Sequence, residues 1–226
     1  WQVVKNGGHG NYRCIVLAPG SVQEMATLTE TAFILADEYR NPVMLLADGF
    51  IGQMMEPVQF PTAVTVPRTP HWAVDGTGIT RNNLISSIYL TPDELERHVR
   101  KLQQKYLRAE REVVQYECYR AEDADVVLVA YGIVGRIAKS AVENLRAQGI
   151  AAGLLRPITL FPFPTVELER LARRARLMVA VEMSTGQMVE DVWLAVNGRI
   201  AVEFYGRCGG NAPEAEEIVQ FVKACR

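Results

Sequence analysis

No stretch of this 226-residue sequence approaches the roughly twenty consecutive apolar residues needed to cross a bilayer, and none reads as a secretory leader. Basic residues are not in surplus: 24 Lys and Arg stand against 26 Asp and Glu, for a net charge of −2, so neither nucleic acid nor a membrane is expected as a partner. Cysteine is scarce and unspaced. Cys14, Cys118, Cys208 and Cys225 form no C-x-x-C pair, which argues against a zinc or iron–sulfur site on this chain. Free thiols suit a reducing compartment, so a cytoplasmic location is expected. A phosphate loop is missing too: Gly132 and Gly135 lack both the third glycine of the dinucleotide fingerprint and the lysine of a phosphate-binding loop. Finally, the sequence starts at Trp1 without a methionine and enters structure almost at once, so it reads as a fragment or ordered remainder of a longer polypeptide.

What is present is apolar content enough for one large or two ordinary domains. The organising stretch runs from Asp125 to Pro164. Val126 to Ala130 is apolar without alternation, as in a strand covered on both faces. Tyr131-Gly132 makes a turn. Ile137, Ala141 and Leu145 then recur every fourth residue along a helix that stops at Gly149, and Ile150 to Leu155 is a second buried run. Together they predict a right-handed β-α-β unit with parallel strands.

Upstream, the glycine-rich lead-in KNGGHGNY flanks His9, read either as a loop contact or as a simple turn. A strand is expected over Cys14–Ala18. A capping box at Ser21–Glu24 should open a helix carrying Met25, Leu28, Ala32, Leu35 and Tyr39 on one face, with Asn41-Pro42 ending it. Val43–Ala47 is the next strand, and Asp48-Gly49 follows at its carboxyl end, where open α/β sheets place ligands. Asp48 is therefore a candidate site residue, a solvated turn carboxylate being the alternative. Gln53, Met54, Met55 and Glu56 read as adaptable surface beside it. Pro57, Pro61, Pro67 and Pro70 exclude a helix from the connector that runs to residue 90, which should lie along another surface or a partner chain.

Residues 91 to about 119 give the clearest helical pattern, with Thr91-Pro92-Asp93-Glu94 at its start. Leu95, Val99, Leu102, Tyr106, Ala109, Val113 and Tyr116 form a narrow seam on a helix about 40 Å long at 1.5 Å per residue. The seam packs either across its own domains or in a dimeric coiled coil. Further strands are expected over Leu177–Val181 and Ile200–Tyr205, with helices after Thr165, after Ser184-Thr185 and from about Pro213. Glu182, Ser184 and Thr185 form a second candidate site, although helix capping accounts for the hydroxyls equally well. The expected units are 1–60, the connector with the long helix over 61–120, and a parallel α/β domain over 121–226.

Four stretches taken together resemble the alpha subunit of the 2-oxoacid:ferredoxin oxidoreductases, of the ketoisovalerate and 2-oxoglutarate type. They are GGHGNYRCIVLAPGSVQEM (7–25), RNPVMLLADGFIGQMMEPV (40–58), the connector and helix over 72–106, and VLVAYGIVGRIAKSAV with LLRPITLFPFP (127–142 and 154–164). The resemblance implies an α/β fold: the remainder of a transketolase-like pyrimidine-binding domain, a linking helix, and a transketolase C-terminal-like domain. It also implies thiamine diphosphate with magnesium shared with a beta subunit, and coenzyme A as co-substrate. Iron–sulfur clusters would sit on other subunits of a hetero-oligomer that includes a ferredoxin-like subunit, with ferredoxin as electron acceptor. The family's catalytic glutamate belongs to a part expected before Trp1, so no catalytic residue is assigned. The rim Asp48, Gly49, Gln53, Met54, Met55 and Glu56 is the candidate subunit interface. Two other readings stay open: a nucleotide-binding module using Tyr131–Arg136, and a structural protein that dimerises through the long helix.

Overall fold

The computed structural model describes residues 2–60 and 69–225. Eight strands and seven helices define the described residues: β1 (Ile15–Leu17), α1 (Val22–Tyr39), β2 (Val43–Leu45), α2 (Gly49–Gln53), α3 (Pro92–Glu112), β3 (Tyr116–Tyr119), β4 (Val126–Val129), α4 (Gly132–Ala147), β5 (Ala152–Pro157), β6 (Thr159–Phe161), α5 (Thr165–Ala172), β7 (Leu177–Glu182), α6 (Met188–Val196), β8 (Ala201–Gly206) and α7 (Ala215–Ala224), with short 3-10 turns at Asn6–Gly8 and Thr80–Asn83. The strands form two sheets, ordered β2-β1-β6 and β3-β5-β4-β7-β8.

The larger sheet is the expected parallel α/β unit. β5, β4, β7 and β8 run parallel in continuous register. Their runs show no alternation because both faces are covered. Val126 and Leu128 pack under α4 and α7 against Ala138, Leu145, Ile218 and Val222, while Val127 and Val129 face α5 and α6 through Leu168, Leu171, Val189 and Val192. Each fully buried Leu or Val contributes about 1.5–3 kcal/mol, so this three-layer body holds most of the hydrophobic stabilisation.

The long helix is shorter than its pattern implies. α3 ends at Glu112, and Tyr116–Tyr119 forms β3, paired antiparallel with β5 from Tyr116↔Pro157 to Tyr119↔Leu154. At 21 residues the helix spans about 32 Å. The seam pattern ran on into β3 because periods of 3.5 and 2 coincide over so short a run. Hydrogen bonding decides the outcome: the Gln115 carbonyl accepts from the backbone N–H groups of Ile158 and Thr159, which turns the chain onto the sheet edge. The buried half of the seam packs within the chain itself, where Ala109 and Val113 join Ile15, Leu17, Leu28, Leu35 and Tyr39.

The capping box at α1 is half formed. Ser21 Oγ accepts from the Glu24 backbone N–H at 3.1 Å, but the Glu24 carboxylate accepts from the Gly20 N–H at 2.7 Å and turns to Arg156. An ion pair with a buried guanidinium outcompetes the usual return to the cap. Thr165 and Ser184-Thr185 also differ from expectation. Thr165 is the first residue of α5 rather than its cap, and α6 begins only at Met188. The connector, where described, lies along the first unit rather than forming strands. Trp72 Nε1 donates to the Asp37 carbonyl at 2.7 Å, Arg40 stacks over the Trp72 ring, and Arg40 Nη2 donates to the Asn83 carbonyl. Pro61 and Pro67 lie outside the described residues.

The stretch Ala152–Phe161 joins the two sheets. It leaves β5 at Pro157, passes Ile158, and enters β6, which pairs antiparallel with β1. Proline suits this crossing because it offers no N–H to a ladder that ends there. Ala18 N donates to the Ile158 carbonyl at 2.7 Å, which ties the end of β1 to the crossing.

Candidate functional site at the junction of the two sheets

Asp48 sits immediately beyond β2 and caps two helices at once. Its Oδ1 accepts from the Ile51 N–H at 2.9 Å, the start of α2, and its Oδ2 accepts from the Ile133 N–H at 2.8 Å, the first turn of α4 in the other unit. A carboxylate at two positive helix ends is well stabilised. Gly132 makes the approach possible. Its φ is +61°, and a Cβ there would lie 2.4 Å from Asp48 Oδ2. The helix N-terminus that a phosphate would need is therefore filled by an internal carboxylate, which removes the basis for a nucleotide module at Tyr131–Arg136.

Glu56 repeats the arrangement one turn away. Its Oε1 pairs with Arg136 Nη1 at 2.7 Å and its Oε2 accepts from the Val22 N–H at 3.1 Å. The Arg136 hydrogen bond and then the Val22 N–H hold its carboxyl below the ordinary value. Arg156 completes the junction. Its side chain is only 6% exposed, bonds Glu24 through Nη1 and Nη2 at 2.9 and 2.7 Å, and donates from Nε to Glu117 Oε2 at 2.9 Å. Lys139 of α4 reaches the other Glu117 oxygen. Burial works to lift the Glu117 carboxyl, but hydrogen bonds from Lys139 and Arg156 outweigh it and hold it below its usual range. The aliphatic stem of Arg156 packs on Gly135, where a Cβ would lie 2.8 Å from its Cδ.

A cavity of about 490 Å³ opens beside this network. Leu46 beyond β2, Tyr131 beyond β4 and Met183-Ser184 beyond β7 line it, with Val4, Phe163 and Met188 adding apolar wall. It thus lies at the carboxyl ends of β2 in the smaller sheet and of β4 and β7 in the larger. Burial, then the charges of Glu182 and Asp48, push the Tyr131 phenol above its ordinary value, so it remains a neutral wall residue at physiological pH. Lys5 and Asp191 form an ion pair among the lining residues.

The second candidate site resolves into a cap. Glu182 is 3% exposed and accepts from Ser184 Oγ at 2.9 Å, Met188 N at 3.0 Å and Val189 N at 2.9 Å. Thr185 is exposed. His9 lies in an exposed turn closed by its own N–H to the Asn6 carbonyl. Of the proposed rim, Asp48 and Glu56 turn inward, whereas Gly49, Gln53 and Met54 are exposed and Met55 is 98% exposed. Cys118 donates to Glu167 Oε1, and burial followed by that carboxylate pushes its thiol up to about 12, a protonated and unreactive state. The residues that sequence reasoning missed are Arg156, Glu117, Lys139 and Gly132 in its packing role. Arg156 carried one signal, a lone charge in the otherwise apolar run LLRP.

Residues 4–118 match the family described as pyruvate flavodoxin/ferredoxin oxidoreductase, thiamine diphosphate-binding, and so take in 115 of the 226 residues. The chain belongs to this family. Residues 124–218 match core domain II of pyruvate:ferredoxin oxidoreductase. The chain is 53% identical over 223 residues to the ketoisovalerate oxidoreductase subunit VorB of Methanothermobacter marburgensis, covering 98% of this chain and 63% of that protein. It is 31% identical over 240 residues to the 2-oxoglutarate synthase subunit KorA of the same organism, covering 94% of this chain and 64% of the relative. The chain thus spans less than two thirds of the length of these relatives. Among solved structures, the 2-oxoglutarate:ferredoxin oxidoreductase of Magnetococcus marinus superposes with a TM-score of 0.77 at 20% identity, over 99% of this chain and 44% of that one. A split-gene transketolase gives 0.54 at 18% identity, over 93% and 56%. The fold is the expected transketolase-like α/β arrangement.

A thiamine site needs a carboxylate free to relay a proton and ligands for a metal-bound diphosphate. At the junction, Glu24, Asp48, Glu56 and Glu182 are all engaged by internal donors, and among the described residues no group of three or more His, Cys, Asp or Glu is placed to hold a metal. These residues do not by themselves form such a site. No described helix is long and apolar enough to cross a membrane.

Proposed function

We propose that this chain forms part of the alpha-type subunit of a thiamine diphosphate-dependent 2-oxoacid:ferredoxin oxidoreductase whose substrate is a branched-chain 2-oxoacid. The observation that carries the reading is the identity of 53% along nearly the whole chain to a ketoisovalerate oxidoreductase subunit, against 31% to a 2-oxoglutarate synthase subunit. In this reading the proton relay and the contacts to the diphosphate and magnesium come from residues outside these 226. Iron–sulfur clusters lie on other subunits, coenzyme A takes the acyl group, and ferredoxin takes the electrons. The contribution of this chain is positional. The Asp48, Glu56 and Arg156 contacts hold the carboxyl ends of β1 and β2 against α4 and the edge of the larger sheet.

The test is to assemble the full-length polypeptide with its beta and ferredoxin-like subunits and follow ferredoxin reduction. With coenzyme A present, kcat/KM for 2-oxoisovalerate is expected to exceed that for 2-oxoglutarate at least tenfold, and turnover should stop when thiamine diphosphate or magnesium is withdrawn. The 226-residue chain alone should show none. Turnover that ignores thiamine diphosphate, or a preference for 2-oxoglutarate, would overturn the assignment.

The rim proposal narrows to the outward side chains of Gln53 and Met55, with Met54 partly turned to Arg136 beside them, held beside the junction by α2. Two adjacent methionines at the surface suit an adaptable protein contact. Met55→Asp is expected to leave thermal unfolding unchanged, since the side chain is 98% exposed. It should weaken binding of the beta subunit at least tenfold, about 1.4 kcal/mol. Sedimentation of the parent and variant with the partner reads the difference, and unchanged affinity would remove the methionines from the interface.

A further inference from the structure

Of the five lysines in the sequence, Lys105 is held unlike the rest. Lys5 pairs with Asp191 and Lys139 with Glu117, while Lys101 and Lys223 stand exposed. Lys105 is half-buried where α3 meets the residue that ends α1. Its Nζ donates to two neutral oxygens, Asn41 Oδ1 at 2.9 Å and the Arg40 carbonyl at 3.3 Å, and among the described residues no carboxylate lies within ion-pair distance of it. Capping the negative end of α1 accounts for these two bonds. It does not account for the second cation beside them. Arg40 lies over the Trp72 ring at 5.0 Å and donates to the Asn83 carbonyl, so among the described residues it too has no acid partner. Burial, then the charge of Arg40, holds the Lys105 ammonium below its ordinary value. The other titratable neighbour is Tyr106, its ring 5.4 Å from Nζ, and burial holds that phenol above its ordinary value, so it brings no negative charge. Two N–H bonds are thus committed to fixed acceptors. The third tetrahedral position of Nζ carries either the proton or a lone pair.

We propose that Lys105 is a modification site, acylated on Nζ by acyl thioesters of coenzyme A. A lysine that is desolvated and set next to another cation is an activated nucleophile. The lone pair attacks the thioester carbonyl carbon, the C–S bond breaks, the thiolate leaves and takes up the proton that the nitrogen sheds, and an amide forms. No oxidant or further reactant enters. The inference rests on the enzymatic reading only for the source of the reagent, since a branched acyl-CoA would be that enzyme's product. The amide removes the positive charge and keeps one N–H. Either Asn41 Oδ1 or the Arg40 carbonyl then loses its donor, and the contact between α1 and α3 loosens in modified copies.

The experiment is to incubate the full-length polypeptide with 2-methylpropanoyl-CoA near neutral pH and follow each lysine by peptide mass spectrometry. Lys101, about one turn earlier on the same helix and exposed, is the internal reference. Lys105 is expected to acylate about fivefold faster than Lys101 in the folded chain, and no faster than Lys101 in denaturing urea. Its lead should shrink as the pH is raised towards the ordinary lysine range, where any lysine amine is freed. Arg40→Gln should slow Lys105 about threefold and leave Lys101 unchanged, because it removes the charge that favours the free amine. Equal rates at the two lysines in the folded chain overturn the proposal. So does a lead that persists in urea, which would come from the local sequence rather than the fold, or an Arg40→Gln variant with the parent's melting transition and the parent's Lys105 rate. Supplying the thioester directly separates the two readings. Rapid Lys105 acylation in a protein that fails to reduce ferredoxin sinks only the enzymatic assignment, and turnover with Lys105 no more reactive than Lys101 sinks only this one.

Discussion

Replacing Arg156 with alanine is expected to lower the unfolding free energy by about 3 kcal/mol. The guanidinium is 6% exposed and serves two carboxylates from different parts of the chain, Glu24 at the start of α1 and Glu117 on β3. Its loss strands both acids against an apolar crossing. The figure lies at the low end for a broken buried pair because Glu24 and Glu117 retain 30% and 32% exposure and can recruit water. Arg156→Lys should recover only part of the loss, since an ammonium cannot reproduce the forked contact to Glu24 together with the bond to Glu117. Urea unfolding monitored by tryptophan fluorescence measures the difference. A loss below about 0.5 kcal/mol would show that hydrophobic packing alone joins the two sheets.

The second large effect is expected at Gly132. Alanine there meets a backbone at φ +61° and places its Cβ 2.4 Å from Asp48 Oδ2, so Asp48 must leave the α4 N-terminus. Left-handed strain of about 1–3 kcal/mol adds to loss of a charge-assisted hydrogen bond worth about 1.5–3 kcal/mol. A total near 3 kcal/mol is expected, with faster hydrogen exchange at Ile133. Asp48→Ala removes both helix-capping bonds without the clash and should itself cost about 2–3 kcal/mol. The double variant should be markedly less damaged than the sum of the two, because the clash and the cap share one carboxylate. Strict additivity would mean that Asp48 does not reach the α4 terminus in solution.

Both residues lie in motifs that stand out in the sequence, ADG at 47–49 and AYG at 130–132. Neither motif says that the other is its partner. Asp48 is legible as a group at the carboxyl end of a strand, and a ligand, a partner chain or solvent each fits that local pattern. Its recipient is the N–H of Ile133, 85 residues away, which no local pattern encodes. The same holds for Glu56 and Arg136, 80 residues apart, and for Glu24 and Arg156, 132 residues apart. The candidate rim therefore looked uniformly outward in the sequence, whereas its two acids face the chain's own second unit, Gly49, Gln53 and Met55 face out, and Met54 lies between, its sulfur accepting from Arg136.

The misreading of 113–119 has the same origin at shorter range. Val113 and Tyr116 extend a helical spacing, but Tyr116 to Tyr119 also alternate as a strand does, and the free edge of β5 supplies partners that solvent cannot. Tertiary hydrogen bonding overrides a weak local preference.

By itself the sequence determined the parallel α/β body, because runs such as Val126–Ala130 and Leu177–Val181 are apolar at every position and can be satisfied only by burial on both faces. It also determined the family, since similarity distributed over most of the chain does not depend on which residues touch. The tertiary structure alone decided where the charges go. A carboxylate carries no mark of whether water, a partner or a distant helix end will satisfy it. That choice rests on the geometry that brings Asp48 to α4 and Arg156 to Glu24, which exists only once both sheets have formed.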